Sequence, residues 1–82
     1  MTQQPDTQPG NYYVTVIRDG HKDRVRALAG PFVNDHAKAL AMVATVRALA
    51  IQIDPWSAFY NFGTSRIEGY DAPGILNERL GL

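Results

Sequence analysis

Arg18, Lys22, Arg24 and Arg26 fall close together, interleaved with Asp19 and Asp23, and Arg24 and Arg26 stand two apart. In an extended segment that spacing puts both guanidiniums on one face, where they can hold a phosphate or a carboxylate. The plainer reading is a solvated hairpin whose charges keep a strand edge from pairing. Arg66 follows Gly63, Thr64 and Ser65, so two hydroxyls and a turn amide can join a guanidinium around an anion. These are common residue types, and the pattern discriminates poorly.

The catalytic inventory is thin. His21 falls in an expected turn and His36 at an expected helix start, and neither has the sequence neighbours of a metal site or a nucleophile pair. Asp54, Glu68, Asp71 and Glu78 can pair only through tertiary structure. There is no phosphate loop, dinucleotide fingerprint or nucleophile elbow. A non-enzyme without metal or cofactor is the expectation.

The stretch AFYNFGTSR, from Ala58 to Arg66, carries three aromatics in four positions. Strand alternation sends Ala58, Tyr60, Phe62 and Thr64 to one face and Phe59, Asn61 and Gly63 to the other. At least one ring must then leave the core. Bases of single-stranded nucleic acid stack on such rings while arginine holds phosphate. The corresponding set is Tyr13, Arg24, Arg26, Phe59 and Arg66, although the glycine-aromatic signature of an RNA-recognition sheet is missing.

Length and composition bound these readings. Eighty-two residues make one small domain, and such a chain buries only about 60% of the surface it exposes when unfolded. Eight basic residues balance eight acidic ones, which argues against general attraction to nucleic acid or an anionic membrane. The 45% hydrophobic content suits a folded domain, and the absence of cysteine excludes disulfides and thiolate metal sites. Residues 1–10, rich in Gln, Pro and Thr, read as a flexible arm without the character of a secretory signal. No stretch approaches the ~20 apolar residues of a membrane span, and a cytoplasmic location is expected.

From Asn11 onward one domain, residues 11–82, is expected to be α+β: a three-stranded antiparallel sheet with one long helix on one face, in the order ββαβ, and a short C-terminal helix. Tyr12 to Arg18 is β-branched and aromatic, Asp19-Gly20 signals a turn, and a second strand should lie within Asp23 to Ala29 until Gly30-Pro31 stops it. Asn34 or Asp35 can cap a helix running to about Ile53, with Phe32 or Val33 packed ahead of it and Asp54-Pro55 ending it. A third strand is expected over Ala58 to Thr64, with a break at Gly63 before Arg66, Ile67 and Glu68. Asp71 to Gly74 then turns into the helical ILNERL.

The expected helix has two apolar faces. Met42, Val43, Val46, Leu49, Ala50 and Ile53 form one, and Ala37, Leu40, Ala41, Ala44, Ala48 and Ile51 the other. A helix on a sheet needs only one such face, so the second must meet the C-terminal segment, a second copy of the chain, or water. Alanine is the best helix former and is often exposed, which favours water. Val43, Val46, Arg47, Ala50 and Phe59 are the expected contacts with a partner protein.

The stretches GPFVNDHAKAL, DPWSAFYNFGTSR and GILNERLGL together resemble a group of small proteins of unassigned activity encoded on plasmids, integrated elements and phages of proteobacteria. The resemblance covers most of the chain after Asn11. It implies an accessory protein of mobile DNA that occupies the surface of a host or element protein, as anti-defence inhibitors do. Locally, GPFVNDHAKAL also resembles the strand-to-helix turn of SPOR domains, which bind peptidoglycan glycans, but here a hairpin precedes the turn and no export signal is expected. The leading expectation is a non-enzymatic protein-binding factor, as a homodimer in one form. The alternative is a small nucleic-acid binder using sheet aromatics and hairpin arginines.

Overall fold

β-Branched and aromatic residues alternate through Asn11–Ile17, and this segment, β1, is the central strand of the computed structural model, which describes residues 4–18 and 25–82. β2 (Val25–Val33) and β3 (Asn61–Arg66) flank it, both antiparallel, giving the order β2-β1-β3. Between them α1 (His36–Ile53) crosses one face of the sheet, and α2 (Asn77–Leu80) ends the chain. The protein is thus α+β with the order ββαβ. The expected Asp19-Gly20 turn, His21, Lys22, Asp23 and Arg24 lie outside the described residues.

Alternation along β1 divides the core in two. Tyr12, Val14 and Val16 turn toward α1 and pack with Phe32, Ala39, Val46 and Ala50. Tyr13 and Thr15 face the other way, yet both are buried. Tyr13 is covered by the segment after β3: its hydroxyl donates to the Ala72 carbonyl at 2.8 Å, and the Tyr70 ring meets it edge-on.

β2 does not stop at Gly30-Pro31. Tyr12 pairs with Phe32 and Val14 with Ala29, so Gly30 and Pro31 together oppose Tyr13 as a bulge. Proline is tolerated there because it need not donate to the ladder. Gly30 has φ of 129°, and a Cβ on it would lie 2.7 Å from the Tyr12 carbonyl oxygen, so the bulge requires glycine.

The helix termini follow their chemistry. The Asp35 side chain caps α1 by accepting from the Lys38 amide at 3.1 Å. Asn34, in the left-handed region at φ 55°, instead ties the corner to the arm: its amide donates to the Gly10 carbonyl and its Oδ1 accepts from the Gly10 amide. Phe32 is the buried residue ahead of the cap, while Val33 is exposed. Asp54 ends α1, and Pro55–Phe59 forms a 3-10 helical turn whose first amides Asp54 caps through Trp56.

That turn corrects the expected start of the third strand. Ala58 and Phe59 are helical, β3 begins at Asn61, and Gly63 does not break it but pairs with Thr15. Proline after Asp54 favours a helical first turn, which outweighed the strand propensity of the aromatics behind it.

The C-terminal segment does not cover the second face of α1. Gly74, Ile75 and Leu76 donate backbone hydrogen bonds to Gly30, Ala27 and Leu28, closing the outer edge of β2. Ala37, Ala41, Ala44 and Ala48 are left exposed on α1, with Leu40 and Ile51 half-buried. At 18 residues and mean hydropathy 1.2, α1 is also long and apolar enough to be a weak candidate span, although it lies here against the sheet.

Candidate interaction cleft

At the end of α1, Ala50, Ile53 and Asp54 line a cleft together with Ser57 of the Pro55–Phe59 turn and residues of all three strands. Val16, Leu28, Ala50, Phe62 and Leu76 floor the resulting cleft of about 250 Å³, and Arg18, Arg26, Asp54 and Tyr60 stand around it. Val16 pairs with Arg26 on one side and Phe62 on the other, so three strands supply one row across the floor. Arg18 lies over the Tyr60 ring, its guanidinium carbon 5.6 Å from the centroid, within cation-π range.

A second depression, of about 480 Å³, adjoins the cleft and shares Arg18, Asp54 and Tyr60 with it. Its other walls are Trp56 and Phe59, which are 69% and 72% exposed with ring centroids 5.7 Å apart. Ile53 and Ile75 are exposed at the rim of the main cleft. Among the described residues, Ile53, Trp56, Phe59 and Ile75 gather exposed apolar surface here, while Val25, Val33, Tyr70 and Leu82 are exposed elsewhere. Asp54 holds the array in place, with its backbone ending α1 and its carboxylate accepting from the Trp56 amide at 3.1 Å.

The expected contact residues divide. Phe59 is exposed, on the 3-10 turn and not on a strand, and Arg47 is exposed on α1. Val43 is half-buried against the core. Val46 and Ala50 are corrected: Val46 is wholly buried, and Ala50 packs in the core and floors the cleft. The more hydrophobic of the two helix faces went to the sheet, because branched side chains lose more in water than alanine does.

Among the described residues the expected nucleic-acid set does not assemble. Tyr13 is fully buried, Arg24 lies outside the described residues, and Arg26 and Phe59 flank the cleft region. Arg66 is at the far end of β3, bonded to Glu68 at 3.0 Å. The Gly-Thr-Ser-Arg anion site is also absent: Thr64 Oγ1 meets His36 at 2.7 Å, while Ser65 Oγ lies 3.4 Å from Thr15 Oγ1 on the opposite face. Those hydroxyls hold the fold together.

His36 is buried and structural. Its ring stacks on Tyr12 with centroids 4.7 Å apart, Nδ1 accepts from the Asp6 amide at 2.6 Å, and Nε2 faces Thr64 Oγ1. With Nδ1 accepting, Nε2 carries the proton and donates to Thr64. Among the described residues no group of three or more His, Asp or Glu side chains could hold a metal ion.

Trp56, Ile75 and Arg18 were not among the expected contacts. The readable signal was Asp54-Pro55-Trp56, a cap followed by proline and the chain's single tryptophan, which forecasts a tight turn carrying a large ring. Compared with family models, curated proteins and solved structures, the chain matches none.

Proposed function

We propose that the chain is a non-enzymatic interaction module that engages a partner protein through the cleft and its aromatic rim. The observation that carries this reading is the exposure of Trp56 and Phe59 side by side, next to Arg18. Exposed rings lose water contact favourably when covered, and Trp, Tyr and Arg dominate binding energy at protein interfaces. His36, the described histidine, has both ring nitrogens engaged in holding the arm and β3, which favours a binding role over acid-base chemistry. The resemblance to mobile-element accessory proteins supports a host or element protein as the partner.

The test is a tagged pull-down from a proteobacterial lysate after nuclease treatment, comparing the native chain with Trp56→Ala combined with Phe59→Ala. A stoichiometric protein captured by the native chain and lost from the double variant is the expected result. Equal capture by both would reject this surface. If the captured protein is the chain itself, sedimentation at several concentrations identifies a self-associating module.

A further inference from the structure

We infer that the cleft receives a segment of the partner protein that presents a carboxylate beside an apolar side chain, an inference that rests on the interaction reading above. The floor is apolar, and its volume of about 250 Å³ falls below the ~300–1,000 Å³ typical of small-molecule sites. The cleft itself has room for one large side chain, and the adjoining depression of about 480 Å³ continues it past Arg18 and Tyr60.

Charge stands at one end of this trough. Arg26 is directly opposite Val16 in the ladder, and Arg18, two residues beyond Val16, projects on the same side of the sheet. Among the described residues neither guanidinium makes a hydrogen bond to a carboxylate or an ion pair. The described lining contains two arginines and one acid, Asp54, so two positive charges less one negative leaves one positive. Asp54 is already committed to the Trp56 amide.

A single carboxylate matches that balance, and a guanidinium offers it two parallel donors. A phosphodiester chain would bring repeated negative charges against Asp54, on a protein of zero formal net charge. The apolar floor also demands a body attached to the anion, which a bare phosphate lacks. An acidic residue next to a leucine or phenylalanine, or a chain terminus ending in such a residue, supplies both parts.

The experiment is a two-dimensional amide NMR titration of the full chain with phenylbutyrate, phenylbutyramide and phenylbutylamine. Phenylbutyrate is expected to shift the amides of Val16, Leu28 and Phe62 and to saturate in the low millimolar range, about what a dozen heavy atoms supply. The neutral amide should bind about five-fold more weakly, as loss of a charge-assisted bond implies. Arg26→Gln and Arg18→Gln should each lower acid binding toward that of the amide and leave amide binding unchanged. Both arginines are exposed, and if either variant fails to fold, the comparison of acid with amide on the native chain decides alone.

Equal binding of acid and amide, or no shift at these sites, overturns the inference. So does a thymidine oligonucleotide that moves the same resonances at lower concentration than phenylbutyrate. If the pull-down partner depends on Trp56 and Phe59 while acid and amide bind alike, the carboxylate inference fails and the interaction reading stands. A carboxylate preference with capture indifferent to Trp56 and Phe59 has the reverse meaning.

Discussion

Gly30 and Asn77 exchange hydrogen bonds in both directions: the Gly30 amide donates to Asn77 Oδ1 at 2.9 Å, and the Asn77 side-chain amide donates to the Gly30 carbonyl. The side chain thus acts as a peptide unit would in a neighbouring strand. It satisfies the bulge residue of β2, where the ladder to β1 is interrupted. Asn77→Ala takes this acceptor from the Gly30 amide, while the carbonyl still accepts from the Gly74 amide, and should cost about 1–3 kcal/mol. Asn77→Asp keeps the acceptor but loses the donor, and should be destabilising too. Urea midpoints check both, and a midpoint unchanged in Asn77→Ala would show that the pair contributes nothing net.

Gly74 is pressed against the same strand. A Cβ there would lie 2.6 Å from the Ala29 Cα and from the Leu28 carbonyl carbon, both backbone atoms. Backbone cannot swing aside as a side chain can, so Gly74→Ala must push the C-terminal segment off β2. The expected cost is about 1–3 kcal/mol, with faster amide exchange at Ile75 and Leu76. Gly63→Ala is the control, since nothing lies within 4 Å of its added Cβ.

Val46→Ala should destabilise by about 2 kcal/mol, because the side chain is completely buried among the strands. By contrast, Trp56→Ala with Phe59→Ala should stay within about 0.5 kcal/mol of the native chain, as both rings are mostly in water. Thermal melts separate the two cases. A large loss in the double variant would mean that the rings hold up the fold and are not reserved for a partner.

Alkaline pH should weaken the fold. Burial, then Tyr70 and then Asp71 raise the Tyr13 phenol above its ordinary value of 10.0. Burial first and Asp6 second raise Tyr12, with Arg66 pulling the other way. The unfolded chain releases these protons near 10.0 while the folded chain still holds them. Their contribution to stability is therefore complete below that pH and is lost as pH rises through the folded values. Urea midpoints measured on both sides of it should fall at the alkaline end, and Tyr13→Phe should make the fall shallower.

The first strand, the helix and its caps were legible because each rests on local chemistry: a β-branched run, Asp35 before an apolar helix, and Asp54-Pro55 after it, whereas the start of β3 was hidden by the 3-10 turn. The bulge at Gly30-Pro31 was not legible, because proline marks a strand end as readily as a bulge, and only the positions of Tyr12 and Asn77 choose between them. Phe59 is exposed as alternation suggested but for another reason, since it lies on the 3-10 turn ahead of β3. The cleft beside it was not, because its walls come from β1, β2, α1, β3 and Leu76, and no local pattern states how those ends converge. Likewise the burial of Tyr13 depends on Ala72, far along the chain.

The central place of β1 also bears on synthesis. Its second neighbour, β3, comes after the whole of α1, and the cover of Tyr13 comes later still. A ribosome that has released the chain as far as Asp54 has released β1, β2 and α1, so the helix can rest on the two strands while one edge of β1 lacks its second neighbour. That edge of β1 waits, exposed, for β3, and nascent-chain binders that shield unpaired strands have their opportunity in that interval. The closing of the sheet is then abrupt, because β3 and the edge-closing segment follow one another within a short stretch of translation.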